Sequence, residues 1–330
     1  MDVRPLRAGL ELGLVVGLVL FAGTAGAQIQ TGIAAAYRGD AGLGADPRVV
    51  LFDDFETGTV ADLSRRWETV VTGAGINLPI DAPADARGRR SVELTARGGV
   101  SDASQLYTRF PTGLDTVFIR YYVKYPSGSP MQGHSSVWIG GYNPSTAWPQ
   151  GGAGIRPAGN DTFYLTYQPF GPNRMDFYAY WMGMTGLPDG FYWGNSFLQD
   201  PSLKPGYDRW TCIEVMVKGN QPVTSANGEL ALWIDGVPIM HMGQGFPNGY
   251  DQYGIFTPNP SGPPWRGFQW RSSTALKANF VWLSLYEPTL ASGATARLLV
   301  DQVAVATQYI GPIRKDVPEP GVGVGVAFGL

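Results

Sequence analysis

The segments TCIEVMVK at 211–218 and FIRYYVKY at 118–125 alternate apolar and polar side chains with a period of two. In the first segment, Ile213, Val215 and Val217 share one face, and larger or polar side chains take the other. This alternation is typical of strands with one face in a core. The same pattern predicts further strands at Phe163–Gln168, Met175–Trp181, Leu230–Asp235, Asn279–Tyr286 and Leu298–Thr307.

Turn signals separate these segments. Asp235-Gly236 predicts a tight hairpin turn after LALWID. The chain has 45 glycines and 26 prolines in 330 residues, a density that interrupts long helices. We therefore predict an all-β fold in which two antiparallel sheets form a jelly-roll sandwich, in one domain over residues 49–313.

The composition excludes several classes of function. The formal net charge is -3 and only 15% of residues are charged, so the chain lacks the basic footprint of a nucleic-acid-binding protein. One cysteine and two histidines exclude a disulfide framework and a Cys-based zinc site. We expect a monomer that needs no cofactor and has no catalytic metal.

The N-terminal 27 residues have the pattern of a secretory signal peptide. Arg4 and Arg7 precede an apolar run at 12–22, and Ala25-Gly26-Ala27 provides small residues for cleavage. A membrane-anchoring helix is the alternative. Residues 28–48 are rich in Ala and Gly and are predicted to be a loose lead-in linker.

The C-terminal segment 314–330 contains Val317-Pro318-Glu319-Pro320 followed by ten apolar or glycine residues. It resembles a bacterial PEP-CTERM sorting signal that lacks the final basic cluster. The resemblance implies export, envelope sorting machinery as a partner, and a bacterium that makes exopolysaccharide. A free apolar tail is the alternative. With the N-terminal signal, this predicts a secreted or envelope-associated protein.

Aromatic residues are concentrated between positions 130 and 200, where 15 occur. A Trp or Tyr ring offers an apolar face and a polar edge, which suits a sugar ring and its hydroxyl groups. Core packing is the alternative role. The candidate substrate-binding residues are Lys124, Trp138, Tyr142, Tyr164, Tyr180, Trp181 and Trp193.

Two positions are candidates for proton transfer. His134 precedes a predicted strand, and histidine titrates near neutral pH. Tyr122 lies between Arg120 and Lys124 on one strand face, where the cations are expected to favour a phenolate. The alternatives are a hydrogen-bonded loop histidine and a solvated strand face.

Acidic residues near both ends of the domain suggest a structural calcium ion. Asp53 and Asp54 lie near the first strand and Asp301 lies in the last, and such strands often pair. Solvated or capping carboxylates are the alternative.

Six segments together resemble a known family. They are LFDDFE at 51–56, IRYYVKYP at 119–126, GHSSVWIGGY at 133–142, RWTCIEVMVKGNQP at 209–222, NGELALWIDG at 227–236 and VDQVAVATQYIGP at 300–312. Over most of 49–313 the chain resembles the concanavalin A-like jelly rolls, and most closely the polysaccharide lyases of the alginate and glucuronan type.

The resemblance implies β-elimination on a uronic-acid-containing polysaccharide. By position, Arg120 would neutralise the sugar carboxylate, His134 or Tyr122 would remove the C5 proton, and Tyr178 would protonate the leaving oxygen. Two alternatives stay open on the same fold, namely a non-catalytic glycan-binding or extracellular-matrix protein and a glycoside hydrolase.

Overall fold

Strands are the main regular secondary structure in a computed structural model that describes residues 31–130, 133–149 and 152–314. The strands are β1 (Val49–Asp53), β2 (Thr69–Val71), β3 (Gly75–Asn77), β4 (Val92–Arg97), β5 (Ala103–Leu114), β6 (Thr116–Lys124), β7 (His134–Tyr142), β8 (Thr162–Pro169), β9 (Met175–Tyr180), β10 (Thr211–Lys218), β11 (Glu229–Ile234), β12 (Val237–Met242), β13 (Gly249–Gln252), β14 (Ile255–Pro258), β15 (Ala278–Tyr286) and β16 (Thr295–Ala306). Short 3-10 helices span Ile33–Ala36, Leu43–Ala45 and Val60–Arg65.

The predicted signal peptide (1–27) and almost all of the predicted sorting tail (314–330) lie outside the described residues, and both stay predictions. Within the described ranges, no helix is long and apolar enough to span a bilayer.

Two antiparallel sheets form the sandwich. The eight-stranded sheet has the order β12-β11-β10-β6-β16-β4-β3, with β1 also paired to β16. The six-stranded sheet has the order β2-β5-β15-β7-β8-β9, and β13 and β14 form a separate hairpin. The predicted all-β, antiparallel two-sheet sandwich is confirmed.

The local sequence signals correspond closely to the observed strands. The segment 211–218 is strand β10 without change at either end. Asp235 and Gly236 both have positive φ angles, 50° and 78°, as a two-residue hairpin turn between β11 and β12 requires. The strands β2 to β5, β13 and β14 were not predicted. Strand β5 ends in PTGL, whose Pro and Gly resemble a loop.

The core lies between the aliphatic faces of the two sheets. Leu106, Leu165 and Leu283 of the six-stranded sheet are fully buried, as are most of the Val and Ile side chains of β6 and β10. Burying each such side chain contributes about 1.5–3 kcal/mol relative to exposure. This apolar layer fixes which face of each strand points outward.

The segment 31–48 packs against the outer face of the eight-stranded sheet. Its side chains Ile33 and Leu43 are buried and contact the strand residues Ala304 and Ala306. The prediction of a loose lead-in is therefore wrong for the described part of this segment. The segment lacks the strand periodicity that would have indicated packing, because it is built from short 3-10 helices and turns.

A buried ion pair links the segment 31–48 to the eight-stranded sheet. Arg120 of β6 is fully buried, and its Nη2 lies 2.6 Å from Oδ2 of Asp40. Loss of one partner from a buried pair leaves the other charge uncompensated.

We expect Asp40→Ala to lower the free energy of unfolding by about 3–5 kcal/mol, since Arg120 would stay buried without its counter-ion. Urea unfolding measures this change. Arg297→Ala is a matched control because its distance of 3.9 Å to Glu93 and its exposed side chain predict a loss of only about 0–1 kcal/mol. Equal losses in the two variants would contradict the assigned role of the buried pair.

A second buried carboxylate holds the C-terminal part of the domain. Glu214 of β10 accepts hydrogen bonds from the backbone N–H groups of Ile310 and Gly311 at 2.7 and 2.8 Å. Burial raises the pKa of Glu214 from 4.5 to about 7, although these hydrogen bonds act in the opposite direction. The folded state therefore retains this proton at a pH where the unfolded chain has released it.

We expect the contribution of Glu214 to stability to fall as the pH rises between 4.5 and about 7. The loss between pH 5 and pH 7.5 should be about 2 kcal/mol. Glu214→Gln removes this titration, so its urea-unfolding stability should vary less with pH than that of the unmodified protein. Parallel pH profiles of the two proteins would show that Glu214 does not titrate as assigned.

Candidate active site

The outward face of the six-stranded sheet is aromatic. Strand pairing places Tyr107, Trp282, Trp138, Thr166 and Tyr178 directly opposite one another across five consecutive strands. Opposed residues share a face, so this row points away from the aliphatic core. The neighbouring row contains Arg109, Phe280, Gly140, Tyr164 and Tyr180. We call this surface the aromatic face.

Its rings pack against one another. The ring centroids of Trp138 and Trp282 are 5.5 Å apart, and those of Tyr164 and Tyr180 are 4.9 Å apart. Trp138 is 4% exposed and Tyr180 is 2% exposed. The structure thus brings together four predicted substrate-binding residues, Trp138, Tyr142, Tyr164 and Tyr180, as a mostly covered floor.

The loop 143–149 covers one part of this floor. The Tyr107 hydroxyl donates to the Thr146 carbonyl oxygen at 2.8 Å, and Thr69 Oγ1 donates to the Ala147 carbonyl oxygen at 3.0 Å. Trp148 packs edge-on against Tyr107. Beyond this loop, a cavity of about 520 Å³ is lined by Tyr142, Tyr164, Arg156 and their neighbours. The loop therefore covers the aromatic face near β5, and the cavity opens beside β8.

His134 lies at the start of β7, at the end of the aromatic face opposite to this cavity. Its ring centroid is 4.7 Å from that of Tyr178, 5.5 Å from Trp138 and 6.3 Å from Tyr286. Its Nδ1 is 3.1 Å from Oε1 of Gln168, which is buried on β8. In the neutral tautomer that donates from Nδ1 to this amide oxygen, Nε2 carries the free lone pair.

The surroundings keep this imidazole neutral. Burial lowers the pKa of His134 below 6.5, and the hydrogen bond with Gln168 only partly opposes this effect. A neutral imidazole with a lone pair on Nε2 is a proton acceptor near neutral pH. The structure shows the hydrogen bond that the alternative predicted for His134, and its role as a base stays a prediction.

The Tyr178 phenol lies beside the His134 ring. Its hydroxyl lies 3.2 Å from that of Tyr180, and its ring is only partly buried. An imidazole that accepts a proton and a phenol that donates one are the two groups that acid–base catalysis requires. Of the four predicted catalytic residues, the structure brings these two together.

Arg120, Tyr122 and Lys124 lie elsewhere, on β6 of the eight-stranded sheet. Arg120 is paired with Asp40, and Lys124 Nζ lies 2.6 Å from Asp81. The Tyr122 hydroxyl accepts a hydrogen bond from the Ile313 N–H at 2.9 Å.

Burial raises the pKa of Tyr122 well above its ordinary value, and the opposing effect of Arg120 is smaller. The expectation that neighbouring cations make Tyr122 a phenolate is therefore wrong. The two sheets are on opposite sides of the core, so the geometry also does not support Arg120 as the group that neutralises a substrate at His134.

The last two predicted binding residues, Trp181 and Trp193, differ in their exposure. Trp181 is 1% exposed and packs in the interior, with its ring centroid 5.1 Å from that of Phe268. Trp193 is 45% exposed and stacks on Phe191 at 6.1 Å. Trp181 therefore has a packing role, whereas Trp193 is available to a ligand.

The predicted calcium residues also have other partners. Asp53 accepts hydrogen bonds from the Phe55 N–H, the Trp67 Nε1–H and the Arg66 guanidinium. Burial raises the pKa of Asp301 well above its usual range, which disfavours the ionised form that a cation needs. Across the described ranges, no three His, Cys, Asp or Glu side chains group closely enough to hold a metal ion. A calcium ion stays a prediction that this geometry does not support.

Gln168 and Tyr286 both contact His134, but neither was predicted as a residue of the candidate site. Each residue lies at or next to the end of a predicted strand. The alternation of side chains along that strand therefore already indicated the side of the sheet to which the residue points. The missing information was the register between β7, β8 and β15, which no local pattern encodes.

We expect the residue at position 168 to set the His134 pKa. Gln168→Glu should raise it, since a carboxylate favours the imidazolium, and Gln168→Leu should lower it by removing the hydrogen bond. NMR titration of the imidazole protons measures the order Glu above Gln above Leu. His241, on β12 at the far sheet, provides the reference signals, and an unchanged His134 titration would refute the contact.

No protein-family model matches the sequence, and no curated protein sequence matches it either. Among solved structures, the fold is similar to that of an alginate lyase from Chlorella virus, with a TM-score of 0.50 and 16% identity over 78% of this chain and 99% of that chain. An endo-beta-1,4-glucuronan lyase from the fungus Trichoderma reesei has a TM-score of 0.46 and 13% identity over 78% of this chain and 95% of that chain.

The catalytic domain of a glycoside hydrolase family 131 protein from Coprinopsis cinerea has a TM-score of 0.37 and 13% identity, over 82% of this chain and 98% of that chain. At these identities the likeness to the viral enzyme concerns the fold alone. The chain therefore has an antiparallel jelly-roll sandwich fold.

Proposed function

We propose that this protein is a secreted carbohydrate-active enzyme, a polysaccharide lyase that cleaves a uronic-acid-containing polysaccharide by β-elimination. The observation that carries the proposal is the pairing of His134 with Tyr178 at 4.7 Å between ring centroids, on the aromatic face. A neutral base and a phenol are two of the three groups that the reaction uses, and the third is a cation that neutralises the sugar carboxylate.

In the proposed reaction, His134 Nε2 removes the proton from C5 of the uronic acid. The electron pair of that C–H bond forms the C4–C5 double bond, and the bond from C4 to the glycosidic oxygen breaks. The Tyr178 hydroxyl donates its proton to the departing oxygen. The products are a chain with an unsaturated uronate at its new non-reducing end and a chain with a new reducing end.

Two features support a glycan as the substrate. Tyr178 and Tyr286 beside His134 are partly exposed, so a sugar ring can contact apolar surface and phenol edges together. Trp193 and Phe191 present a stacked and exposed aromatic pair further along the surface. This pair also favours the second candidate function, a glycan-binding protein without catalysis.

We expect the full protein to generate ultraviolet absorbance from unsaturated uronates on alginate or glucuronan. His134→Ala and Tyr178→Phe should each reduce this rate about 100-fold or more, because each removes one proton-transfer group. His241→Ala is the matched control and should retain the rate, since His241 lies on β12 and is 53% exposed.

Reducing-end assays on xylan and neutral glucans complete the test. New reducing ends without absorbance would indicate a glycoside hydrolase and contradict the lyase proposal. Silence in both assays, with polysaccharide binding that Trp193→Ala abolishes, would favour the glycan-binding protein.

A further inference from the structure

Between residues 152 and 200, the acidic and the basic side chains have different kinds of partner. The carboxylates cap backbone N–H groups: Asp176 accepts from the N–H groups of Phe177, Phe197, Leu198 and Gln199, and Asp161 from those of Ala158, Gly159 and Thr162. Asp189 and Asp200 cap Phe191 and Ser202 in the same way. These acids are therefore engaged in shaping the loops.

The two arginines of this stretch have aromatic partners instead. The Arg174 guanidinium carbon lies 4.8 Å from the Phe170 ring centroid, and its Nη1 donates to Gln199 Oε1 at 2.6 Å. The Arg156 guanidinium carbon lies 5.3 Å from the Tyr192 ring centroid. Neither arginine forms an ion pair with a carboxylate in the part of the chain that the structure describes.

The Phe170 ring lies between Arg174 and the proposed catalytic pair of His134 and Tyr178. The Phe170 ring that it covers is 6.2 Å from Tyr178, and Tyr178 contacts His134. The side chain is only partly buried. A guanidinium stacked on a ring keeps its N–H groups in the plane, where they can bind a carboxylate with two hydrogen bonds.

Arg156 is on the other side of that pair. It follows Gly154 by two residues, and the Gly154 N–H lies 3.5 Å from the Tyr180 hydroxyl, which in turn contacts the Tyr178 hydroxyl. Arg156 is exposed and lines the 520 Å³ cavity beside Tyr164. Along the surface the order is thus Arg174, the His134–Tyr178 pair, Tyr180 and Arg156.

An exposed apolar surface lies against Gly154, two residues before Arg156. Phe191 and Trp193, 54% and 45% exposed, stack with an interplanar angle of 24°. A Cβ added at Gly154 would lie 3.2 Å from Phe191, and the φ of 79° there also favours glycine. A cation and a flat ring pair side by side match the carboxylate and the C–H face of one acidic sugar.

We propose that Arg174 and Arg156 bind carboxylates of an acidic polysaccharide on either side of His134 and Tyr178, with Phe191 and Trp193 contacting the sugar next to Arg156. The proposal rests on the proposed function for the path of the glycan over the aromatic face. It assigns specificity for uronic acids to side chains outside the proton-transfer pair, while the protein as a whole has a net charge of -3.

The test is binding of the full chain that carries His134→Ala, measured by affinity electrophoresis and calorimetry with polyglucuronate, alginate and a neutral β-glucan as probes. We expect Arg174→Ala and Arg156→Ala each to weaken polyuronate binding about tenfold or more, since each removes a charge-assisted contact. Arg174→Lys should bind at an intermediate level because it keeps the charge and loses the planar fork.

Arg209→Ala is the matched control, because Arg209 is 62% exposed and pairs with Asp235 on the opposite sheet. It should leave binding unchanged, and thermal unfolding checks that all variants are folded. The affinity for polyuronate should also fall with salt, less steeply in the arginine variants.

Two results would overturn the inference: polyuronate affinity unaffected in the folded Arg156→Ala/Arg174→Ala variant, or equal affinity for the neutral glucan. Failure of the lyase proposal is a separate outcome, because it would appear as absent unsaturated ends in the unmodified protein while the arginine-dependent binding persists.

Discussion

Both faces of the six-stranded sheet are apolar, and both must be covered. The aliphatic face with Leu106, Leu165 and Leu283 meets the other sheet and forms the core. The aromatic face cannot use a third sheet, so loops such as 143–149 cover it in part. Loops cover a surface less evenly than a sheet does, and the uncovered remainder around His134 is where a ligand can reach the rings. The candidate site thus follows from the way this surplus of apolar area is covered.

Charged side chains have different partners on the two sheets. On the eight-stranded sheet, Arg120 and Glu214 are buried, and their partners are segments that pack across the outer face. There, the Arg120–Asp40 ion pair and the hydrogen-bonded carboxyl group of Glu214 hold these segments on the sheet. Removal of one partner leaves a buried charge or an unsatisfied backbone donor. On the aromatic-face side, the carboxylates between residues 152 and 200 shape the loops. Arg109 pairs with Glu68 there, whereas Arg156 and Arg174 lie over aromatic rings. Charged side chains therefore stabilise packed segments on both sides of the core, and the arginines without a carboxylate partner among residues 152–200 lie on the aromatic-face side.

The sequence could predict the alternation but not what covers each strand face. Strand β10 and the Asp235-Gly236 turn follow from neighbouring residues, so they were predicted accurately. Arg120 and Tyr122 were assigned to one polar face correctly, yet that face is buried by residues 31–48 and 309–313, which are far away in the chain. The contact of His134 with Gln168 and Tyr178 depends on strand register. Long-range pairing therefore decided which candidate residues form a site.

The two ends of the described chain run side by side. The N–H groups of Ile33 and Ala34 donate to the carbonyl oxygens of Tyr309 and Ile310, and Arg38 forms a parallel bridge with Arg314. Both segments of this pairing pack against the eight-stranded sheet, across the core from the aromatic face. A protein immobilised through either of these ends would orient the aromatic face toward the surrounding medium. A long, slowly diffusing polymer could then approach that face without steric hindrance from the support.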